Sequence, residues 1–313
     1  MLRYIVQRLL EGLFVLWLVS LISYLLLGLM PGDPVDLMIS SDPDLTTEDA
    51  ERLRAAYGLD QPLIDRYFGW LGQALQGDFG YSRHFAQPAV AVLGDAVWVT
   101  LAIAVPSLIL ALALAVPLGL WAAERPGRWL DQTINLSALI SLSLPTFWLA
   151  IMLIYLFAVL LRWLPAGGMG EGFGGRLEHL ILPVGVLTLS VAGVFLRFMR
   201  AAATETIGQD YVRTARAKGA DRVTIMARHV LPNAALPLIT LTGLQLGALF
   251  SGALIVEILF RQLGMGRVLY DAVLGNDYNL ALVGLMLTTA ATLLGNLLAD
   301  LCHAWLDPRV TLR

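Results

Sequence analysis

The chain has 313 residues, 58% of them hydrophobic and 14% charged, with a mean hydropathy of +0.72 and a formal net charge of −3. An average soluble domain carries roughly 25% charged residues, so this composition excludes a disordered chain, argues against an ordinary soluble enzyme, and fits a protein whose outer surface faces lipid. The single cysteine, Cys302, excludes an intrachain disulfide, and the single lysine, Lys218, is followed by Gly219, so there is no Gly-Lys-Ser/Thr phosphate loop and ATP binding of that kind is not expected.

A bilayer core takes about 20 apolar residues per helix, and six stretches qualify. The first is Gly12 to Met30. Arg3 and Arg8 precede it as in a signal peptide, but the apolar run is long and Met30-Pro31-Gly32-Asp33 follows where a small-x-small cleavage site would stand, so it is expected to stay as a first helix. Residues 31–95 are acidic, with eleven Asp/Glu against four Arg. Within them Thr46-Thr47-Glu48-Asp49-Ala50-Glu51-Arg52-Leu53-Arg54 has the capping hydroxyls and first-turn acids of a helix start. Leu59-Asp60-Gln61-Pro62 ends that helix, an amphipathic stretch runs from Leu63 to Leu75, and Gly77-Asp78-Phe79-Gly80 reads as a turn. The segment is a small folded cap, too short for an enzyme domain. It reads as a plug over the outer mouth or as a docking surface for a soluble partner, and the two are compatible.

Ala96 to Ala123, Gln132 to Leu161, Leu180 to Leu196, Asn233 to Val256 and Leu280 to Ala299 complete the six spans. Pro106, Pro117 and Pro145 lie inside the second and third, where each removes a backbone donor and reads as a packing kink or a flexing point beside a pathway. Asn135, Ser137, Ser141 and Ser143 in the third span are small polar residues of the kind found at helix contacts, and Asn135 and Ser141 are also candidates to line a wet pathway. Gly243, Gly247 and Gly252 in the fifth suggest close helix packing. Glu257 ends the fifth span near the outer face, either as a solvated helix end or as a pathway or gate residue. Asp300 and His303, one turn apart, read as an interfacial hydrogen bond rather than a metal site, since two ligands do not make one. His84, His179 and His229 are scattered, and no Ser-His-Asp order or paired-carboxylate motif stands out.

With the N-terminus inside, segments 1–11, 124–131, 197–232 and 300–313 hold 13 Arg/Lys against 8 Asp/Glu, while the rest of the chain holds 8 against 16. That satisfies the positive-inside rule and puts both termini in the cytoplasm. The inner loop Arg197–Pro232 carries seven of those basic residues. Asp210 stands at an N-cap position, Tyr211 to Lys218 follow, and Gly219 can take the left-handed conformation that ends a helix. Asp221 can cap a second helix, Arg222 to Val230, which Leu231-Pro232 stops. By composition alone, such a loop is also a juxtamembrane anchor for anionic lipid head groups.

The segment Asp210-Tyr211-Val212-Arg213-Thr214-Ala215-Arg216-Ala217-Lys218-Gly219, followed after nine residues by His229-Val230-Leu231-Pro232, resembles the EAA loop of ABC-importer permeases. The Arg-Thr-Ala-Arg-Ala-Lys-Gly form is similar to the dipeptide/oligopeptide/nickel branch. The resemblance extends along nearly the whole chain. It includes Arg3-Tyr4, Pro31-Gly32-Asp33-Pro34, Tyr57 to Pro62, Gly77 to Gly80, Pro145 to Ala150, Leu164-Pro165-Ala166, Glu257 with Phe260, Gly264-Met265-Gly266, Asp277-Tyr278, Asn296-Leu297 with Asp300, and Asp307-Pro308-Arg309. Leu263 stands where that branch often has proline, and Asn276 where it often has arginine.

The resemblance implies an all-α integral membrane protein of six transmembrane helices, the type I ABC importer permease fold, with a helical extracytoplasmic cap between helices 1 and 2. Its parts would be an N-terminal helix at 1–30, the cap at 31–95, a five-helix core at 96–304 with a coupling loop at 197–232, and a tail at 305–313. Residues Asp210 to Gly219 would form a peg docking into an ATPase subunit. It implies a multi-pass protein of the bacterial inner membrane, paired with a second homologous permease chain, two ATPase subunits that carry ATP and Mg, and an extracytoplasmic solute-binding protein. No cofactor in this chain and no nucleic-acid partner are implied. Peptide cargo comes first, with nickel, glutathione-like or opine/sugar cargo behind it. An intramembrane enzyme or lipid-binding scaffold is the competing class.

Overall fold

In a computed structural model that describes residues 2–29, 52 and 61–306, the apolar runs become long helices. Helix α1 (Leu2–Gly28) is the first predicted span, extended to the N-terminal arginines. After it come α2 (Leu63–Ala74), a two-stranded antiparallel hairpin β1 (Tyr81–Ser82) and β2 (Gln87–Pro88), and α3 (Ala89–Glu124). Then follow α4 (Trp129–Ser143), α5 (Thr146–Leu153) running on in π geometry over Ile154–Leu160, and α6 (Gly172–Ile207). The next loop holds α7 (Asp210–Ala217) and α8 (Arg222–Thr224), the latter running on in π geometry over Ile225–Val230 into α9 (Leu231–Ala234). Helices α10 (Leu236–Gly252), α11 (Leu254–Leu259), α12 (Met265–Leu274) and α13 (Tyr278–Leu306) end the described chain. The predicted helix start at 46–54, the Pro31 motif, the Tyr57 motif and the tail with Asp307-Pro308-Arg309 lie outside the described residues, except for Arg52, Gln61 and Pro62.

Among the described residues, four helices, α1, α3, α6 and α13, are each long and apolar enough to cross a membrane, and the bent pair α4–α5, taken as one span, raises the number to five. The predicted third span is not one straight helix. Leu144 is extended and Pro145 is the N-cap of α5, so the two halves meet at 102°. A proline disfavours helical geometry in its predecessor, and at Leu144, which is extended, that preference prevails. Pro106 and Pro117, by contrast, sit inside the unbroken α3. The predicted fifth span is likewise divided, into α9, α10 and α11. Leu231-Pro232 does not stop its helix: Leu231 stays helical and Pro232 falls in the first turn of α9, directly after the π-helical stretch.

The residues fall into two compact units. One comprises the described residues among 1–6 and 291–313, together with 98–267. Its core runs from Ile103 and Leu108 of α3, through Val186, Phe195 and Met199 of α6, to Val212 of α7 and Val230. Helix α4 packs on α6, where Gly193 meets the Ala138 carbonyl and the Ser141 side chain. Ser107, beside Pro106, donates to the Ile103 carbonyl at 2.6 Å and shares its hydroxyl with the Val184 carbonyl of α6 at 3.2 Å. Gly243 and Gly247 of α10 lie against Ala299 and Thr292 of α13. Small residues let backbones approach closely, which is how membrane helices associate without a hydrophobic drive between them.

The other unit comprises the described residues among 7–97, together with 268–290. Tyr67 and Trp70 of α2 are buried against Tyr24 of α1, and the Tyr67 and Ser20 hydroxyls are 3.0 Å apart. Gly77 and Gly80, both at positive φ, make the expected turn ahead of the hairpin. The hairpin is fixed by one buried carboxylate. Asp277 accepts from the Ser82 hydroxyl at 2.6 Å, from the His84 backbone N–H at 3.0 Å and from the Leu280 N–H at 3.3 Å.

Candidate functional site

The loop between α6 and α10 carries most of the candidate residues. Gln209 is extended and is the N-cap of α7, one residue before the expected Asp210, which instead occupies the first turn and faces Arg213 at 3.4 Å. Its acid there complements the helix dipole. Val212 and Ala215, three apart and on one face, are buried, while Tyr211, Arg213, Thr214, Arg216, Ala217 and Lys218 are exposed. The helix is thus pinned by two small apolar contacts and presents everything else outward. Its end is a Schellman motif: the Ala220 N–H donates to the Ala215 carbonyl and the Gly219 N–H to the Arg216 carbonyl, with Gly219 at φ +81°.

Asp221 caps α8 as expected, accepting from the Val223 and Thr224 N–H groups at 3.2 and 3.3 Å. Its hydrogen bonds with the Thr224 hydroxyl, then with the Thr224 and Val223 N–H groups, hold this carboxyl below the usual carboxylate range. Two ion pairs buttress the loop. Arg222 pairs with Glu124 at the end of α3. Arg200 of α6 forks onto Asp131 of α4, with Nε to Oδ1 at 2.5 Å and Nη2 to Oδ2 at 2.7 Å. Asp131 also accepts from the Gly127 N–H and from Asn135. Nothing in local sequence joins these partners, which are 69 and 98 positions apart.

The pathway and gate candidates are not brought together. Asn135 donates to the Asp131 side chain at 2.8 Å and backbone carbonyl at 3.0 Å, and Ser141 to the Leu189 carbonyl of α6. Glu257 is no solvated helix end: it is fully buried. Thr100 of α3 donates to Glu257 Oε1 at 2.6 Å and accepts the Met265 N–H at 2.8 Å, and the Arg267 N–H donates to Oε2 at 3.0 Å. The carboxylate therefore caps the first turn of α12 from another helix. A Cβ on Gly264 would overlap it, which gives the Gly264-Met265-Gly266 turn its physical reason. Thr100 is the member of this group that no sequence motif marks. Asp300 accepts from the Tyr4 hydroxyl at 2.7 Å, and the His303 side chain lies outside the described residues.

Residues 115–312 match the family described as binding-protein-dependent transport system inner membrane component, and residues 1–109 match its N-terminal family. A protein named as a peptide permease in Brucella suis biovar 1 is 38% identical over 316 residues, covering 99% of each chain. The oligopeptide transport system permease protein AppB of Bacillus subtilis is 34% identical over 316 residues, again with 99% of each covered. The glutathione transport system permease protein GsiC of Escherichia coli K12 is 34% identical over 310 residues at the same coverage. Among solved structures, the inward-facing MetNI methionine ABC transporter shares the fold, with a TM-score of 0.60 and 21% identity over 70% of this chain and 98% of that one. The family matches, the relatives and the long apolar helices together define a multi-pass inner-membrane transport permease. The chain belongs to the family of binding-protein-dependent transport system inner membrane components.

Proposed function

We propose that this chain forms half of the translocation pathway of an ATP-driven peptide importer. In this reading it crosses the membrane six times with both termini cytoplasmic, the broken α4–α5 and the divided α10–α11 each serving as one span. A solute-binding protein delivers di- or oligopeptides on the far side, a second related permease completes the pathway, and two ATPase subunits hold ATP and Mg. The observation that carries the reading is α7, a short basic helix anchored by Val212 and Ala215 and otherwise exposed. Residues Asp210 to Gly219 then dock as a rigid peg into an ATPase groove, and ATPase closure moves peg and spans together. That supplies the two-state element that alternating access requires. Glu257 serves an outer gate through the Gly264–Gly266 turn it holds, and Asn135 and Ser141 act as helix-contact residues beside the pathway.

Peptide cargo is supported by the names of the relatives, two of peptide carriers and one of a carrier of glutathione, itself a tripeptide. The test is uptake of labelled dipeptide, longer peptide, glutathione and Ni²⁺ in a strain deleted for the gene and complemented with it, with and without cellular ATP. ATP-dependent, complementable uptake of a peptide supports the reading. Complementation for Ni²⁺ alone would replace the cargo, and no complementation for any of them would remove it.

A further inference from the structure

At the base of α7 lies a cleft of about 370 Å³ lined by Arg125, Arg216 and Arg222 with Glu124 as its one acid, and by apolar residues that include Ile207 and Met226. Arg222 is committed to Glu124. Arg125 and Arg216 are exposed, and among the described residues neither guanidinium meets a carboxylate. The cleft therefore holds two uncompensated positive charges beside an apolar wall. Arg125 directly follows the last residue of α3, one of the helices long and apolar enough to cross a membrane. Trp121, one turn earlier, and Trp129, at the start of α4, are 58% and 74% exposed. Exposed tryptophans at both helix ends mark the head-group level of a membrane.

We propose that this cleft binds the phosphate of an anionic phospholipid, with Arg125 and Arg216 as the phosphate ligands and the Ile207–Met226 wall receiving the glycerol and upper acyl chain. Guanidinium forks match phosphate oxygens in geometry as well as charge, and the cytoplasmic leaflet is the one enriched in anionic lipid. Because Arg216 belongs to α7, an occupied site ties the proposed peg to the bilayer surface and makes coupling depend on lipid charge. The proposal rests on the membrane placement given under the proposed function.

The test is native mass spectrometry of the assembled transporter taken from nanodiscs of phosphatidylcholine alone or doped with phosphatidylglycerol. The wild type is expected to retain one phosphatidylglycerol per copy of this chain, and Arg125→Gln with Arg216→Gln to weaken retention by about fivefold per arginine removed. Arg125→Lys with Arg216→Lys keeps the charge and is expected to restore most of it, which separates a lost site from a misfolded chain. Equal retention by wild type and the Gln variant overturns the proposal. So does displacement of the lipid by soluble glycerol phosphate at equal concentration, which would make the site one for a free anion. Loss of ATPase subunits from the Gln variant with lipid retention unchanged would assign the cleft to an ATPase carboxylate instead. Peptide uptake in the complemented strain is scored separately, so failure of the lipid site and failure of the transport reading remain distinguishable.

Discussion

Glu257 shows how a costly residue becomes tolerable. A carboxylate at this depth has lost its water, and two donors aimed at its oxygens, the Thr100 hydroxyl and the Arg267 N–H, replace it. Removing the acceptor leaves those donors buried and unmet, at about 1–3 kcal/mol for each. Glu257→Leu is therefore expected to lower the midpoint of thermal unfolding in detergent clearly, Thr100→Val less, and the double variant by less than the sum. Additive losses would show that the two residues act apart. Gly264→Ala should reproduce the Glu257→Leu defect, because its methyl occupies carboxylate space.

Asp221 offers a pH handle on the loop. Its carboxyl is more acidic folded than unfolded, so its contribution is fully present above the ordinary carboxylate range and is lost as pH falls through the depressed value. Hydrogen exchange at the Val223 and Thr224 amides should stay protected at neutral pH and open only as the pH falls below the ordinary carboxylate range. Asp221→Asn, which still accepts hydrogen bonds, should remove that acid dependence. Opening of these amides on raising the pH from 5 to 8 would contradict the assignment.

At the scale of elements, α7 stands on its terminus. A Cβ at Gly219 would meet nothing within 4 Å, so the need for glycine is conformational rather than steric. A residue with a Cβ pays roughly 1–2 kcal/mol for the left-handed conformation, and asparagine visits it routinely. Gly219→Val is accordingly expected to weaken ATPase assembly and ATP-driven uptake several-fold, while Gly219→Asn keeps most of both. Equal behaviour of the two variants, measured by co-purification and uptake, would sever the link between the Schellman end and coupling.

This loop was the most legible part of the sequence, because its signals are local: Gly219 and Asp221 sit within a few residues of the helix ends they control. The π-helical stretches at Ile154–Leu160 and Ile225–Val230 were not, since apolar periodicity does not separate a helix from a slightly wider one. The break at Leu144-Pro145 turns on whether neighbours satisfy the freed carbonyls, which residues outside the segment decide. The Arg200–Asp131 fork, the Thr100–Glu257 bond and the clamp of Asp277 on the hairpin join residues 69 to 195 positions apart, and no spacing rule reaches so far.

At the scale of the whole molecule, polar side chains at depth are spent on holding turns and joining helices, and the basic surface is concentrated on one loop. That division suits a transport permease of a binding-protein-dependent system. The central claim is that energy enters from the α7 face and drives peptide inward. The most direct measurement is accumulation of a labelled dipeptide in proteoliposomes holding the purified transporter and its binding protein, with ATP supplied on one face at a time. Accumulation should occur only when ATP is on the face that carries α7 and the binding protein is on the other. Accumulation that needs no ATP, or that needs it on the face opposite α7, would contradict the account.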